Sequence, residues 1–182
     1  MSTPAGESAS AEQPYDVVLL IEQALSPADA AQVRALHQEL DDDPRIEVVY
    51  HVLIPMEDAA AAIESSLGAI GGADVIAPPI TPSPEDIEHL REEYQEQAER
   101  DLATSTALIE DSGARVGSGT IVVESPVDSL IEKVTDTDGR EAIILTRPHV
   151  VAEFFHVDWT SRARRKLGVP VLHLLEHEQS QG

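Results

Sequence analysis

The sequence predicts an α/β domain: a doubly wound, five-stranded parallel sheet in the order 3-2-1-4-5, with helices on both faces. Short continuous apolar runs alternate with segments of helical periodicity, as expected where crossover helices bury a parallel sheet on both sides. Three helical segments open on Ser-Pro, placing a capping hydroxyl just before a proline at the first helical position. A chain of 182 residues is also long enough for one sizeable core, and it contains no cysteine. Disulfides, thiolate metal sites and cysteine nucleophiles are therefore excluded.

The first strand is the run DVVLLI from Asp16 to Ile21. Ser26 and Pro27 then start a helix, SPADAAQVRALHQEL, whose apolar stripe is Ala30, Val33, Leu36 and Leu40 and which stops in Asp41, Asp42, Asp43 and Pro44. IEVVYHVLI, from Ile46 to Ile54, is rich in β-branched residues and reads as the second strand, ended by Pro55. A short helix in MEDAAAAIESSLGAI and a Gly- and Pro-punctuated loop fill the long connection from Pro55 to Ser83.

Pro84 opens the longest helix, with Ile87, Leu90, Tyr94, Ala98, Leu102 and Leu108 or Ile109 at helical spacing, Ser83 as N-cap and Gly113 past the end. ARVGSGTIVVES is the third strand, ending near Glu124. PVDSLIEKVTD is a helix presenting Val127, Leu130, Ile131 and Val134 on one face. EAIILT is the fourth strand, DWTSRARRKLG the last helix, and VPVLHLLE the closing strand. The domain is expected over residues 15–177, with a disordered tail at 1–14 and a flexible end at 178–182.

Residues 1–14 have neither a basic start nor an apolar centre, and no run approaches the length of a membrane span, so a cytoplasmic protein is expected. A formal net charge of -22 argues against nucleic acid and anionic membranes as partners, both of which are bound through clustered cations. Its simplest meaning is solubility.

In an open doubly wound sheet, ligands bind beyond the carboxyl ends of the strands, where the strand order reverses. Here that crevice lies between the first and fourth strands. Its expected walls are Glu22, Gln23, Ala24 and Leu25 on one side and Thr146, Arg147, Pro148 and His149 on the other.

From Tyr15 to Glu176 the chain resembles a universal stress protein domain. The resemblance is carried by the first strand with its Ser-Pro helix start, by LIEDSGARVGSGTIVVESPVDSLIEKV, by the AIILTR strand and by the final KLGVPVLHLLE. Members of that family either bind ATP through a glycine-rich loop after the fourth strand or lack the loop. The positions that match its three glycines hold Leu145, Pro148 and Val157 or Asp158. Leu145 adds a side chain where backbone must approach phosphate, Pro148 removes an amide donor, and Asp158 repels the anion.

The resemblance therefore implies a non-catalytic stress-adaptation protein that does not bind ATP in the family's usual manner, with no cofactor expected. It also implies a homodimer through the last strand, at Val171, Leu172, His173 and Leu174, and action through protein partners or a small ligand. Ligand contacts are expected at Glu22, Gln23, Thr146, Arg147, His149 and Ser161. The alternative is an adenine-nucleotide switch or weak ATP hydrolase in the crevice, using Glu22, Arg147 and the last helix in place of the glycine loop. The edge-strand reading has a simple rival, in which the acidic tail or the long loop covers the strand and leaves a monomer.

Other constellations are weaker. Arg162, Arg164, Arg165 and Lys166 could join Arg147 and His149 as an anion pocket, or could be a solvated helix face. His156, Asp158, His173 and His177 are metal-ligand types without ligand spacing, and no metal site is expected. Trp159, Phe154 and Phe155 read as packing residues rather than base-stacking ones. A third option is an enzyme with an acid–base pair such as Glu22 and His149. No nucleophile elbow, Walker loop or Ser-His-Asp order is present, although a triad assembled in space leaves no such spacing.

Overall fold

A computed structural model describes residues 14–56, 83–123, 125–146 and 165–176. The strands are β1 (Tyr15–Ile21), β2 (Val48–Pro55), β3 (Arg115–Val122), β4 (Glu141–Thr146) and β5 (Val171–Leu175). The helices are α1 (Pro27–Ala35), α2 (Gln38–Asp41), α3 (Pro84–Asp111) and α4 (Pro126–Asp136). All strand pairs are parallel, and the order is β3-β2-β1-β4-β5.

The central strands read as continuous apolar runs because both of their faces are covered. Val17, Leu19 and Ile21 join Tyr50, Val52, Ile54, Ile143 and Leu145 beneath Ala30 and Val33 of α1 and Ala98 and Ile109 of α3. On the other face, Val18, Leu20, Leu53, Ala142 and Ile144 pack against Leu130 and Val134 of α4. The edge strand β3 alternates instead between exposed and half-buried residues over most of its length.

The helix starts form as their sequences dictate. Ser26 accepts from the Asp29 amide while Asp29 accepts from the Ser26 backbone, and Ser83 and Asp86 repeat this reciprocal box. Ser125 caps α4 in the simpler way, accepting from the Asp128 amide. Past the end of α3, Gly113 takes φ +87°, a conformation glycine adopts without strain.

Three sequence expectations change. The first helix does not run on through Leu40: it ends at Ala35, and a second short helix begins at Gln38. His37 turns inward there, only 2% exposed, to reach Tyr50 and Glu141, while Leu36, expected on the apolar stripe, is 43% exposed. The second strand begins at Val48 rather than Ile46 and takes in Pro55, and the third ends at Val122.

Residues 57–82 of the long connection, residues 1–13 of the expected tail and all but residues 165–168 of the expected last helix lie outside the described residues. Among the described residues, no helix is long and apolar enough to cross a membrane.

Candidate functional site

The carboxyl ends of β1 and β4 are neighbours, with Ile21 opposite Leu145, so the crevice lies where the topology places it. The Glu22 amide donates to the Leu145 carbonyl at 3.2 Å, after which the chain leaves the sheet through Gln23 and Ala24. The Leu25 amide is then caught by Ser105 Oγ of α3 at 3.0 Å. Ser105 is fully buried, and its own hydroxyl donates to the Asp101 carbonyl at 2.7 Å. This polar residue on the inner face of α3 thus fixes the loop that forms one wall.

Helix α1 starts at that wall. Helix starts attract anions, but this one already holds a carboxylate of its own: Asp29, 2% exposed, accepts from Ser26 Oγ at 2.5 Å and from the Ser26 amide at 3.2 Å.

The opposite wall is built by β4 and β5. Thr146 Oγ1 lies 2.9 Å from His173 Nε2, and the Glu176 amide donates to the Thr146 carbonyl at 2.9 Å. Gln23 Nε2 donates to Glu176 Oε2 at 2.5 Å, linking the loop after β1 to the residue just past β5. The crevice is thereby spanned by a side-chain bridge. Glu22, Gln23 and Thr146 of the expected site come together, and Glu176 and His173 join them. Arg147, His149 and Ser161, with Pro148, lie outside the described residues.

Glu176, 6% exposed, closes the apolar run VPVLHLLE, and its position as the first charge after that strand was the only signal of it. Ser105 had a clearer one, as a small polar residue four positions before Ile109 on the same helical face. Among the described residues, no group of three or more His, Asp or Glu is placed to hold a metal ion. His156, Asp158 and His177 lie outside those residues.

Burial of the His173 imidazole lowers its pKa from the usual 6.5, because desolvation penalises the charged form. In the unfolded chain His173 therefore takes up a proton at higher pH than in the folded one. Its contribution to stability is complete above about pH 6.5 and is lost as the pH falls through the lower folded value. Urea unfolding at pH 7.5 and 5.5 is expected to show the wild type losing more stability on acidification than His173→Gln. Equal losses would show that His173 does not report on the β4–β5 join.

Among solved structures, the hypothetical protein MJ0577 is 16% identical over 91% of this chain and 99% of its own, with a TM-score of 0.52. It shares the doubly wound architecture. The chain has a universal stress protein-like fold. Similar in coverage are the universal stress protein from Archaeoglobus fulgidus (16% identity, 87% and 93% coverage, TM-score 0.47) and a universal stress family protein from Arabidopsis thaliana with AMP bound (13%, 92% and 95%, 0.47). No family model matches the sequence, and no curated protein is significantly similar to it. Within this universal stress protein-like fold, β5 is an edge strand: Val171 is buried, Leu172, His173 and Leu174 are half-buried, and Leu175 is 48% exposed.

Proposed function

We propose that the chain is a cytoplasmic, universal stress protein-like adaptor in stress adaptation. It works as a homodimer through β5, at Val171 to Leu174, and acts on protein partners or a small ligand rather than through bound ATP. Its crevice is not a catalytic centre. The observation that carries this reading is the bridge from Gln23 to Glu176 across the crevice.

A polyphosphate entering there meets the carboxylates of Glu22 and Glu176. The start of α1, the natural phosphate seat, is satisfied by Asp29. Leu145 and Pro148 stand in place of the glycines that the family's ATP loop uses.

A second reading keeps the crevice as an adenine-nucleotide site, because it sits at the switch point of the sheet with Glu22 at its mouth. Isothermal titration with magnesium ATP, run beside light scattering, separates the two. The adaptor reading expects a dimeric mass and no binding tighter than about 1 mM. Micromolar binding that is lost in Glu22→Ala or Arg147→Ala overturns it in favour of a nucleotide switch, and a monomeric mass removes the dimer.

A further inference from the structure

A second polar constellation crosses the sheet on the α4 face, away from the crevice. It consists of Asp16 of β1, His51 of β2 and Ser118 of β3. His51 Nε2 lies 2.8 Å from Asp16 Oδ1, and His51 Nδ1 lies 2.8 Å from Ser118 Oγ. An ionised carboxylate only accepts hydrogen bonds, so Asp16 draws the imidazole proton to Nε2. Nδ1 is then the acceptor, and the Ser118 hydroxyl donates to it. That is the polarity of a base-activated serine held by an oriented histidine, with the two ring nitrogens exchanged relative to the chymotrypsin-type triad.

The fold sets this alignment through a local irregularity. His51 pairs with Ser118 while Tyr50 pairs with Val116, so Gly117 is an extra residue in a bulge of β3. A Cβ at Gly117 would lie 2.7 Å from both His51 Cε1 and Val49 Cγ1, so the imidazole rests against bare backbone there. Bulges of this kind re-aim a side chain, and this one brings Ser118 to the ring.

The plain reading is a polar rung that ties three strands together. Two observations go further. Neighbouring positions on this face are Val18, Leu20, Leu53 and Val122, and aliphatic residues would fill the row without the desolvation that Asp, His and Ser incur. The row also stays within reach of solvent. The His51 and Asp16 side chains are 11% and 14% exposed, Ser118 is half-buried, and Gly117 and Gly119 are exposed. Helix α4 packs on β1, β2 and β4, and β3 is an edge strand of the sheet.

We propose that Ser118 is a nucleophile activated by His51 and Asp16, forming a site that takes acyl groups from small esters. Ser118 Oγ attacks the ester carbonyl carbon and its proton passes to His51 Nδ1, while Asp16 stabilises the imidazolium through Nε2–H. The carbon–oxygen bond to the alcohol breaks, and the departing oxygen takes the proton from Nδ1. Water then repeats the sequence, releasing the carboxylic acid and restoring Ser118. This site is independent of the crevice and of what the crevice binds.

The test uses the full chain with a fluorophosphonate probe and p-nitrophenyl acetate. One adduct on Ser118 is expected by peptide mass spectrometry, absent in Ser118→Ala. His51→Gln should slow its formation at least about 100-fold, with unchanged far-ultraviolet circular dichroism. Because the chain has no cysteine, Ser118→Cys creates a single thiol. Its alkylation rate should reach half-maximum at least about one pH unit below the ordinary thiol value near 8.5, and His51→Gln should restore that value. No adduct, an adduct elsewhere, or an ordinary thiol profile overturns the proposal. A merely structural rung would make the variants easier to unfold and give neither chemical signal.

Discussion

His37→Ala is expected to lower the unfolding free energy by about 3 to 5 kcal/mol. His37 is 2% exposed at the break between α1 and α2; its Nδ1 lies 2.7 Å from Tyr50 Oη, and its Nε2 lies 3.2 Å from Glu141 Oε2. Its ring packs edge-on to that of Tyr50 and tilted to that of Tyr15. Tyr15 Oη also donates to Glu141 Oε2 at 3.5 Å. Burial, and then the Glu141 charge, raise the Tyr15 pKa, which keeps that phenol a donor.

Alanine at position 37 removes a ring from a packed site and takes the 2.7 Å partner from a phenol on a fully buried residue. The cavity and the lost hydrogen bonds both count against the folded state. Denaturant unfolding followed by circular dichroism measures the loss. A change under about 1 kcal/mol would show that the α1–α2 break is set by the local chain rather than by this network.

Leu130→Ala is expected to cost about 3 kcal/mol. Leu130 is fully buried, and with Val134 it forms the buried face of α4 against Val18, Leu20, Leu53 and Ile144. Truncation opens a void between a helix and a close-packed sheet, whose strands cannot move in to fill it. Val127→Ala, at a half-buried position on the same helix, should cost about 1 kcal/mol or less. If both variants shift the urea midpoint equally, α4 is not anchored through Leu130.

Most of the fold was legible because its signals are local. The runs at Val17–Ile21 and Ala142–Leu145 are apolar without a break, and the Ser-Pro starts fix where three helices begin. What escaped depends on contacts between residues far apart in sequence. His37 stands where helical periodicity continues, and only Tyr50 and Glu141, 13 and 104 residues away, reveal why the helix breaks.

Asp16 and His51 sit inside runs read as apolar strands, and Ser118 lies 67 residues beyond His51. No spacing links the three, because the strand register and one bulge bring them together. The crevice was half legible: topology located it through Glu22, Gln23 and Thr146, while the bridge to Glu176 required the pairing of β5 with β4.

The reciprocal helix starts also bear on how so acidic a chain responds to ions. In both, the aspartate oxygen lies within 3.2 Å of the groups that donate to it. The Ser83 hydrogen bonds are the main reason that the Asp86 pKa is lowered. Such contacts are far shorter than the screening length, about 10 Å at 0.1 M salt, whereas the mutual repulsion behind a net charge of -22 acts across the whole surface. Added electrolyte thus quiets the repulsion and leaves the helix starts intact, so ionic strength that would weaken a protein held by exposed ion pairs should firm this one.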